Sequence, residues 1–215
     1  MEYNVIRFKN LLIDENTRHN LVSRKNTEKE VDKHIEDSLM VLDFISLEGK
    51  KVLDIGSGAG FPGLVLALYC PGSRFSLLEA SIKKASFLKK VKTELELENT
   101  DILCRRVEEL GQDIDFREKF DICTCRGVAA MNILLEYGLP LLHMEGKMIM
   151  WKGRNFEREI GLSENALKIL GGKIVDVFSY NLMGERDRAL VVVQKKEMTA
   201  DRYPRRVGIP EKRPL

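Results

Sequence analysis

Few features of this sequence suggest a secreted, metal-binding or membrane protein. Its 215 residues include four cysteines, which are too few and too irregularly spaced for a disulfide framework or a zinc site. The N-terminus has no charged-then-apolar signal pattern, and no apolar run is long enough to span a bilayer. We therefore expect a cytoplasmic chain with neither a metal ion nor a membrane partner.

An excess of charge of one sign is also missing. The chain has 35 basic and 33 acidic residues, so its formal net charge of +2 identifies no partner. With 44% hydrophobic residues, a chain of this length suffices for the core of one domain. We expect a monomer.

The most informative stretch is a strand, a glycine-rich turn and a helix in succession. Residues 51–55 form a short apolar run that predicts a buried strand, and residues 64–68 resume with a helical apolar pattern. Between them, Gly56, Gly58 and Gly60 occupy alternate positions. Glycine is needed there because a Cβ atom would block either the turn or the approach of a ligand to the N–H groups that begin the helix. The stretch therefore predicts a ligand-binding loop.

Two acidic residues indicate which ligand the loop binds. Gly58, Gly60 and Gly63 match the G-x-G-x-x-G spacing of dinucleotide-binding folds, and Glu79 follows about 20 residues later. Asp54, however, precedes the loop, where a carboxylate would repel a pyrophosphate but attract the cationic methionyl part of S-adenosylmethionine. D-x-G-x-G-x-G with an acidic end to the next strand is typical of class I methyltransferases. We therefore favour S-adenosylmethionine over the NAD of an oxidoreductase.

Strand and helix patterns alternate along the rest of the chain. Apolar runs predict seven strands, at residues 51–55, 74–78, 100–105, 120–125, 147–151, 173–180 and 189–194. The alternation predicts an α/β fold, a class I Rossmann-like methyltransferase with a mostly parallel seven-stranded sheet. Within one structural domain, we distinguish an N-terminal helical extension (1–48), the methyltransferase domain (49–198) and a basic C-terminal tail (199–215).

In such a sheet, ligands bind at the carboxyl ends of the strands. Glu79, after the second strand, would accept two hydrogen bonds from ribose hydroxyls. Val107 or Glu108, after the third strand, would read the edge of the adenine ring. Phe61 would cover apolar atoms of the cofactor.

The fourth strand ends near the expected position of the transferred methyl group. Arg126 would hold the cofactor carboxylate or a substrate phosphate there, or would form a structural ion pair with Asp54 or Glu79. Cys125 offers a nucleophile for cytosine-C5 methylation, although buried strand cysteines usually only pack. The Asn/Asp-Pro-Pro-aromatic motif of exocyclic-amine methyltransferases is missing. Guanine N7 has an in-plane lone pair and no proton, so its methylation would need positioning rather than a base.

Basic residues cluster at the C-terminus. Residues 201–215 contain five basic and two acidic residues, and their prolines argue against a regular helix. Tyr203 and Ile209 stand between the arginines, which predicts that the segment docks on the domain. The candidate RNA-binding residues are Arg202, Arg205, Arg206, Lys212 and Arg213.

One predicted helix of the N-terminal extension carries a polar pair. His34 and Asp37 lie one turn apart, at the edge of the apolar stripe. An i, i+3 pair of this kind usually covers a junction between a helix and a sheet. The same face could roof the cofactor pocket, so both residues are secondary candidates.

Five motifs occur in the same order as in one known family. They are His34–Leu39, Leu53–Gly63, Arg106–Glu109, Cys125–Ala129 and the segment from Arg202 to Leu215. On these motifs the chain resembles the bacterial 16S ribosomal RNA guanine-N7 methyltransferases, once named glucose-inhibited division protein B. The resemblance covers nearly the whole chain. Two positions depart from the family pattern: Cys125 replaces the usual Ser, and Gly127 replaces the usual Ala.

The resemblance implies a substrate and a set of cofactor contacts. The substrate would be 16S rRNA of the small ribosomal subunit, methylated at N7 of a guanine in the decoding region. The implied cofactor contacts are Gly56, Phe61, Glu79, Ala80, Ser81, Val107, Glu108 and Arg126; Asp54 and Gly58 are added from the loop itself. No catalytic residue is assigned. A non-catalytic RNA-binding assembly factor is a further hypothesis.

Overall fold

A seven-stranded sheet forms the centre of the protein in a computed structural model, which describes residues 2–19, 21–23, 27–182 and 186–215. The strands are β1 (Lys51–Ile55), β2 (Arg74–Leu78), β3 (Thr100–Leu103), β4 (Phe120–Arg126), β5 (Leu142–Lys152), β6 (Gly172–Leu182) and β7 (Arg186–Lys195). Their order in the sheet is β3-β2-β1-β4-β5-β7-β6. β7 is antiparallel to β5 and β6, and the other neighbours are parallel. The predicted fold class is confirmed.

Helices cover both faces of the sheet. In the described part of the chain they are α1 (Glu2–Arg18), α2 (Thr27–Leu39), α3 (Gly63–Tyr69), α4 (Ile82–Glu94), α5 (Val107–Gly111), α6 (Met131–Gly138), α7 (Phe156–Gly161), α8 (Glu164–Leu170) and α9 (Ile209–Lys212). Single 3₁₀ turns follow α2 at Met40–Asp43 and α6 at Leu139–Leu141. None of these helices, within the described residues, combines the length and apolarity that a membrane span requires.

The N-terminal helices share the core of one face of the sheet. Phe8 and Leu12 of α1 and Val31 of α2 are fully buried in the same apolar cluster as Val52 of β1 and Leu64 of α3. A second cluster, on the other face, contains the inner sides of α5, α6 and α8. The helical character expected for residues 1–48 is confirmed where the chain is described. The domain bounds stay a prediction.

The strand order places a crevice at the carboxyl end of β1. The chain passes from β1 to β2 on one side, whereas β4 pairs with β1 on the other side. A reversal of this kind separates the connections at the strand ends and leaves room for a ligand. The loops after β1, β2, β3 and β4 therefore meet in one place.

The C-terminal segment (residues 201–215) docks on the domain, as Tyr203 predicts. Tyr203 is 6% exposed and belongs to the apolar cluster around α5 and α6. The expectation that prolines prevent a helix is wrong for one turn, since α9 has Pro210 in its first turn. A proline fits there because the first N–H groups of a helix have no partner within it.

Candidate functional site

The loop between β1 and α3 is a turn that glycine alone fits well. Gly56 and Gly58 have positive φ angles of 71° and 56°, which residues with a Cβ atom rarely adopt. A Cβ at Gly56 would also lie 2.6 Å from Cγ2 of Val128. A Cβ at Gly63 would lie 2.5 Å from the Cβ of Asp54, because α3 begins directly against β1. The predicted strand, turn and helix are confirmed.

Asp54 lies near the end of β1, beside the glycine loop. Its side chain is fully buried and accepts hydrogen bonds from the Gly63 N–H at 3.1 Å and from the Thr124 hydroxyl at 2.7 Å. Burial raises the Asp54 pKa, and these hydrogen bonds oppose that shift. The carboxylate lies outside both of the clefts described below. The hydrogen bond to Gly63 fixes α3 against β1, and a direct contact of Asp54 with the cofactor stays a prediction.

Glu79 lies at the carboxyl end of β2 and joins two backbone segments. Its Oε2 atom accepts a hydrogen bond from the Gly58 N–H at 3.0 Å, and its Oε1 atom accepts one from the Ser81 N–H at 2.7 Å. Each carboxylate oxygen has a second lone pair, so both can still accept a hydroxyl proton. Ser81 lies outside the cleft walls, and its contribution is the N–H that orients Glu79.

The first of two adjoining clefts, the β2/β3 cleft, has a volume of about 250 Å³. Five of the predicted cofactor contacts line it: Gly56, Glu79, Ala80, Val107 and Glu108. Tyr137 of α6 and Glu211 of α9 also line it, and neither residue was predicted as a cofactor contact. The strand-end part of this cleft was therefore predictable from the sequence, whereas the part that α6 and α9 supply was not.

The second cleft, the α2 cleft, has a volume of about 480 Å³. Gly56, Lys84 and Gly127 line both clefts, so the two adjoin at the glycine loop. The predicted residues Gly58, Phe61 and Arg126 line the α2 cleft, together with His34 and Asp37 of α2, Trp151 of β5 and Arg188 of β7. The secondary candidates His34 and Asp37 therefore line this cleft, and their role towards the cofactor stays a prediction.

Arg126 extends from the end of β4 into the wall of the α2 cleft. It pairs with Asp37 at 2.8 Å, so neither Asp54 nor Glu79 is its partner. Burial lowers the Arg126 pKa, and the Asp37 charge opposes this shift. The Cζ atom of Arg126 also lies 5.2 Å from the ring centre of Phe61. Arg126 is thus fixed in place by a carboxylate and a ring.

Asp37 is the centre of a buried polar cluster. It is 1% exposed, and its Oδ2 atom accepts hydrogen bonds from Arg126 at 2.8 Å and from Arg188 at 3.4 Å. The Tyr180 hydroxyl donates to Oδ1 at 2.6 Å, and the Trp151 Nε1–H donates to the Asp37 carbonyl at 2.7 Å. Two guanidinium groups therefore share the carboxylate of Asp37 beside the α2 cleft, and the charge of Asp54 also acts on Arg126.

His34 packs its ring against Phe61, with 5.1 Å between the ring centres. Burial, followed by the charge of Arg126, lowers the pKa of His34 to about 4. The imidazole is therefore neutral at neutral pH. It offers the cleft a hydrogen-bond donor and an acceptor but no charge.

Cys125 is fully buried in the cluster on the other face of the sheet. Burial raises the pKa of its thiol to about 12, so the thiolate that a nucleophile needs does not form at neutral pH. The structure thus argues against cytosine-C5 methylation through Cys125. No group of three potential metal ligands converges within the described residues.

Arg205 differs from the other candidate RNA-binding residues because its side chain has a buried partner. Its Nε atom and one terminal nitrogen donate to the two carboxylate oxygens of Glu136 at 2.8 and 2.6 Å. Glu136 is fully buried, so this ion pair anchors the C-terminal segment. The prediction that Arg205 contacts RNA does not fit this position. Arg202, Arg206, Lys212 and Arg213 are exposed and stay candidates.

Comparisons with known proteins agree on the family. Residues 1–191 match the family model described as rRNA small subunit methyltransferase G. The chain is 59% identical over 215 residues to the ribosomal RNA small subunit methyltransferase G of Syntrophomonas wolfei, with 100% of both chains covered. It is 42% identical over 210 residues to the protein of the same name from Carboxydothermus hydrogenoformans, covering 97% of this chain and 89% of that one.

Solved structures show the same fold at low identity. Magnesium protoporphyrin IX methyltransferase from Synechocystis, solved with bound SAM, matches with a TM-score of 0.62 and 15% identity over 81% of this chain and 86% of that one. TYW2 of M. jannaschii, in complex with AdoMet, matches with a TM-score of 0.58 and 18% identity over 75% and 74% of the two chains. On the family model and the relatives, the chain belongs to the rRNA small subunit methyltransferase G family.

Proposed function

We propose that this protein transfers the methyl group of S-adenosylmethionine to N7 of a guanine in the decoding region of 16S rRNA. Family membership makes the chain a methyltransferase that uses S-adenosylmethionine and acts on small-subunit rRNA. The site carries this proposal through one observation in particular. On one side of the glycine loop, Glu79 keeps a free lone pair on each carboxylate oxygen, and on the other side lie the guanidinium groups of Arg126 and Arg188, which suits a nucleoside joined to an amino acid.

The residues of the β2/β3 cleft fit the nucleoside part of the cofactor. Glu79 retains a free lone pair on each carboxylate oxygen and would bind the two ribose hydroxyls. Val107 and Ala80 supply apolar wall on either side of the strand ends. Gly56 lines both clefts, and a Cβ there would lie 2.6 Å from Val128, so a larger residue at this position would crowd the place where the clefts adjoin.

The residues of the α2 cleft fit the amino-acid part and the target base. Arg126, or Arg188 beside it, would hold a carboxylate or phosphate oxygen, because both guanidinium groups line this cleft and a guanidinium offers several N–H donors. The Nε atom of Arg188 is buried and has no hydrogen-bond partner among the described residues. A donor of this kind is available to a ligand without breaking an existing contact.

Methylation at N7 requires little acid–base catalysis by the protein. The sulfonium of S-adenosylmethionine supplies an activated methyl group, and guanine N7 has a lone pair in the plane of the ring. The chain therefore needs to orient the base and to keep water out of the cleft. Phe61 and Trp151 are buried aromatic residues on the wall of the α2 cleft and suit the exclusion of water.

Exposed cations near the site would hold the RNA. Arg202 and Arg206 lie on a groove that also includes Glu108, the residue shared with the β2/β3 cleft. Contacts from these arginines to phosphates would give affinity that depends on salt and not on base sequence. The α2 cleft would then select the base that is methylated.

A labelling experiment tests the proposal. Small ribosomal subunits from cells that lack this activity are incubated with the protein and methyl-labelled S-adenosylmethionine, and the 16S rRNA is digested to nucleosides. We expect the label in 7-methylguanosine, at one position. Label in 5-methylcytidine, or RNA binding without methyl transfer by the wild-type protein, would contradict the proposal.

A further inference from the structure

The C-terminal segment forms part of the wall of the β2/β3 cleft. The family model ends at residue 191, so the segment lies beyond the matched range. Glu211 of α9 nevertheless lines this cleft, beside Tyr137 of α6. The wall of the cleft thus includes a side chain that is not among the predicted cofactor contacts and lies outside the range of the family match.

Several contacts fix α9 at the cleft. The Gly208 N–H, just before α9, donates a hydrogen bond to Oε1 of Glu108 at 2.9 Å, and Glu108 itself lines the cleft. The backbone N–H of Arg205 donates to Oε1 of Glu136 at 2.8 Å, in addition to the side-chain ion pair. A Cβ at Gly111 would lie 2.6 Å from Pro204, so the segment packs closely against α5. These contacts therefore fix the backbone of the segment that carries Glu211.

The immediate surroundings of Glu211 leave its carboxylate available to a ligand. The residue is exposed, and the Tyr137 hydroxyl lies next to it. Burial raises the Tyr137 pKa, and so do the charges of Glu108 and Glu211, so the hydroxyl keeps its proton. A protonated phenol orients a carboxylate by donating to one oxygen, and the rest of the carboxylate can then accept a second hydrogen bond.

We propose that Glu211 accepts a hydrogen bond from the exocyclic amine of the cofactor's adenine ring, which makes the C-terminal segment part of the cofactor site. The inference rests on the proposed function, because it requires S-adenosylmethionine in the β2/β3 cleft. Adenine presents an amine at this ring position, whereas hypoxanthine presents an oxygen. A carboxylate accepts hydrogen bonds but does not donate them, so Glu211 favours the amine and disfavours the oxygen.

Calorimetry with two ligands tests the proposal. S-adenosylhomocysteine carries the amine, and S-inosylhomocysteine carries an oxygen in its place. We expect the wild-type protein to bind S-adenosylhomocysteine more tightly by at least about tenfold. In Glu211→Gln the side-chain amide can donate to the oxygen, so the ratio of the two dissociation constants should fall by about tenfold. Asp201→Asn is the matched control, because it removes an exposed charge from the same segment outside the cleft, and its ratio should stay at the wild-type value.

Two outcomes would overturn the proposal. One is an unchanged ratio in Glu211→Gln, with a thermal unfolding midpoint that shows the variant to be folded. The other is a ratio that falls in Glu108→Gln and not in Glu211→Gln, which would assign the amine to Glu108. Failure of the wild-type protein to bind S-adenosylhomocysteine would instead contradict the proposed function itself.

Discussion

The two adjoining clefts use their charged side chains in different ways. Basic residues also line the β2/β3 cleft, but its acidic side chains, such as Glu79 and Glu211, keep free lone pairs that suit hydroxyl and amine donors. In the α2 cleft, the guanidinium groups of Arg126 and Arg188 share the buried carboxylate of Asp37. The comparison shows how one fold can recognise the two unlike halves of a cofactor. The nucleoside would contact hydrogen-bond acceptors, and the amino-acid part would contact guanidinium groups.

Removal of the central carboxylate should have the largest effect on the α2 cleft. Asp37→Ala leaves Arg126 and Arg188 without their shared counter-charge and should lower the free energy of unfolding by about 3 to 5 kcal/mol. Chemical denaturation measures this change. Glu36→Ala is the control, since Glu36 is exposed on the same helix and its loss should change stability by less than about 0.5 kcal/mol. Equal effects from the two variants would refute the role of Asp37.

Removal of the ion pair that anchors the C-terminal segment should have the second-largest effect. Arg205→Ala leaves the fully buried Glu136 without its partner and should cost about 2 to 4 kcal/mol of unfolding free energy. The affinity for S-adenosylhomocysteine should fall as well, because the segment supports Glu211. Arg206→Ala, one residue further along and exposed, should leave both quantities unchanged. A stable Arg205→Ala protein with weakened RNA binding would restore the sequence-based interpretation.

These two sites also show how far sequence reasoning reached. The strand, glycine turn and helix around Gly56 were predictable because the pattern is local and each glycine has a local steric reason. The partners of Asp37 were not, since Tyr180 and Arg188 lie 143 and 151 residues along the chain from it. Charge alone did not identify Arg205 as a structural residue, because the burial of Glu136 depends on how α6 packs. Helices α5, α7 and α8, at five to seven residues, were too short for a periodic pattern to identify them.

His34 should make stability depend on pH. Its folded-state pKa of about 4 lies below the ordinary value of 6.5, so the unfolded chain binds the proton more readily between these values. The stabilising contribution is present above pH 6.5 and should be lost as pH falls towards 4, by at most about 3 kcal/mol. His34→Gln should flatten this dependence in denaturation curves recorded across the interval. If the stability of His34→Gln depended on pH as steeply as that of the wild type, the pKa of His34 would not be lowered in the folded protein.

The passage between the clefts should be sensitive to a single methyl group. Gly56→Ala places a Cβ 2.6 Å from Val128 at a φ of 71° and should raise the dissociation constant for S-adenosylhomocysteine by about tenfold or more. Gly49→Ala controls for backbone strain, because Gly49 has a φ of 69° and no atom within 4 Å of the added Cβ. Its cofactor affinity should equal that of the wild type. Equal losses of affinity in Gly56→Ala and Gly49→Ala would show that backbone strain, and not the contact with Val128, causes the effect.

The smallest effect should come from a single exposed arginine. Arg206→Ala should weaken RNA binding modestly and reduce the slope of log affinity against log salt concentration by about one, since one phosphate contact is lost. Filter binding over a series of salt concentrations measures the slope. Lys173→Ala is the control, because Lys173 is an exposed cation on β6, outside both clefts. A slope that changes equally in the two variants would remove Arg206 from the RNA interface.

The most direct test of the account is a crystal structure of the full chain with S-adenosylhomocysteine. We predict that the ribose hydroxyls contact Glu79, that the adenine amine faces Glu211, and that the homocysteine part extends past Gly56 towards Arg126. A ligand in any other place, or in the two clefts with its ends exchanged, would contradict the account.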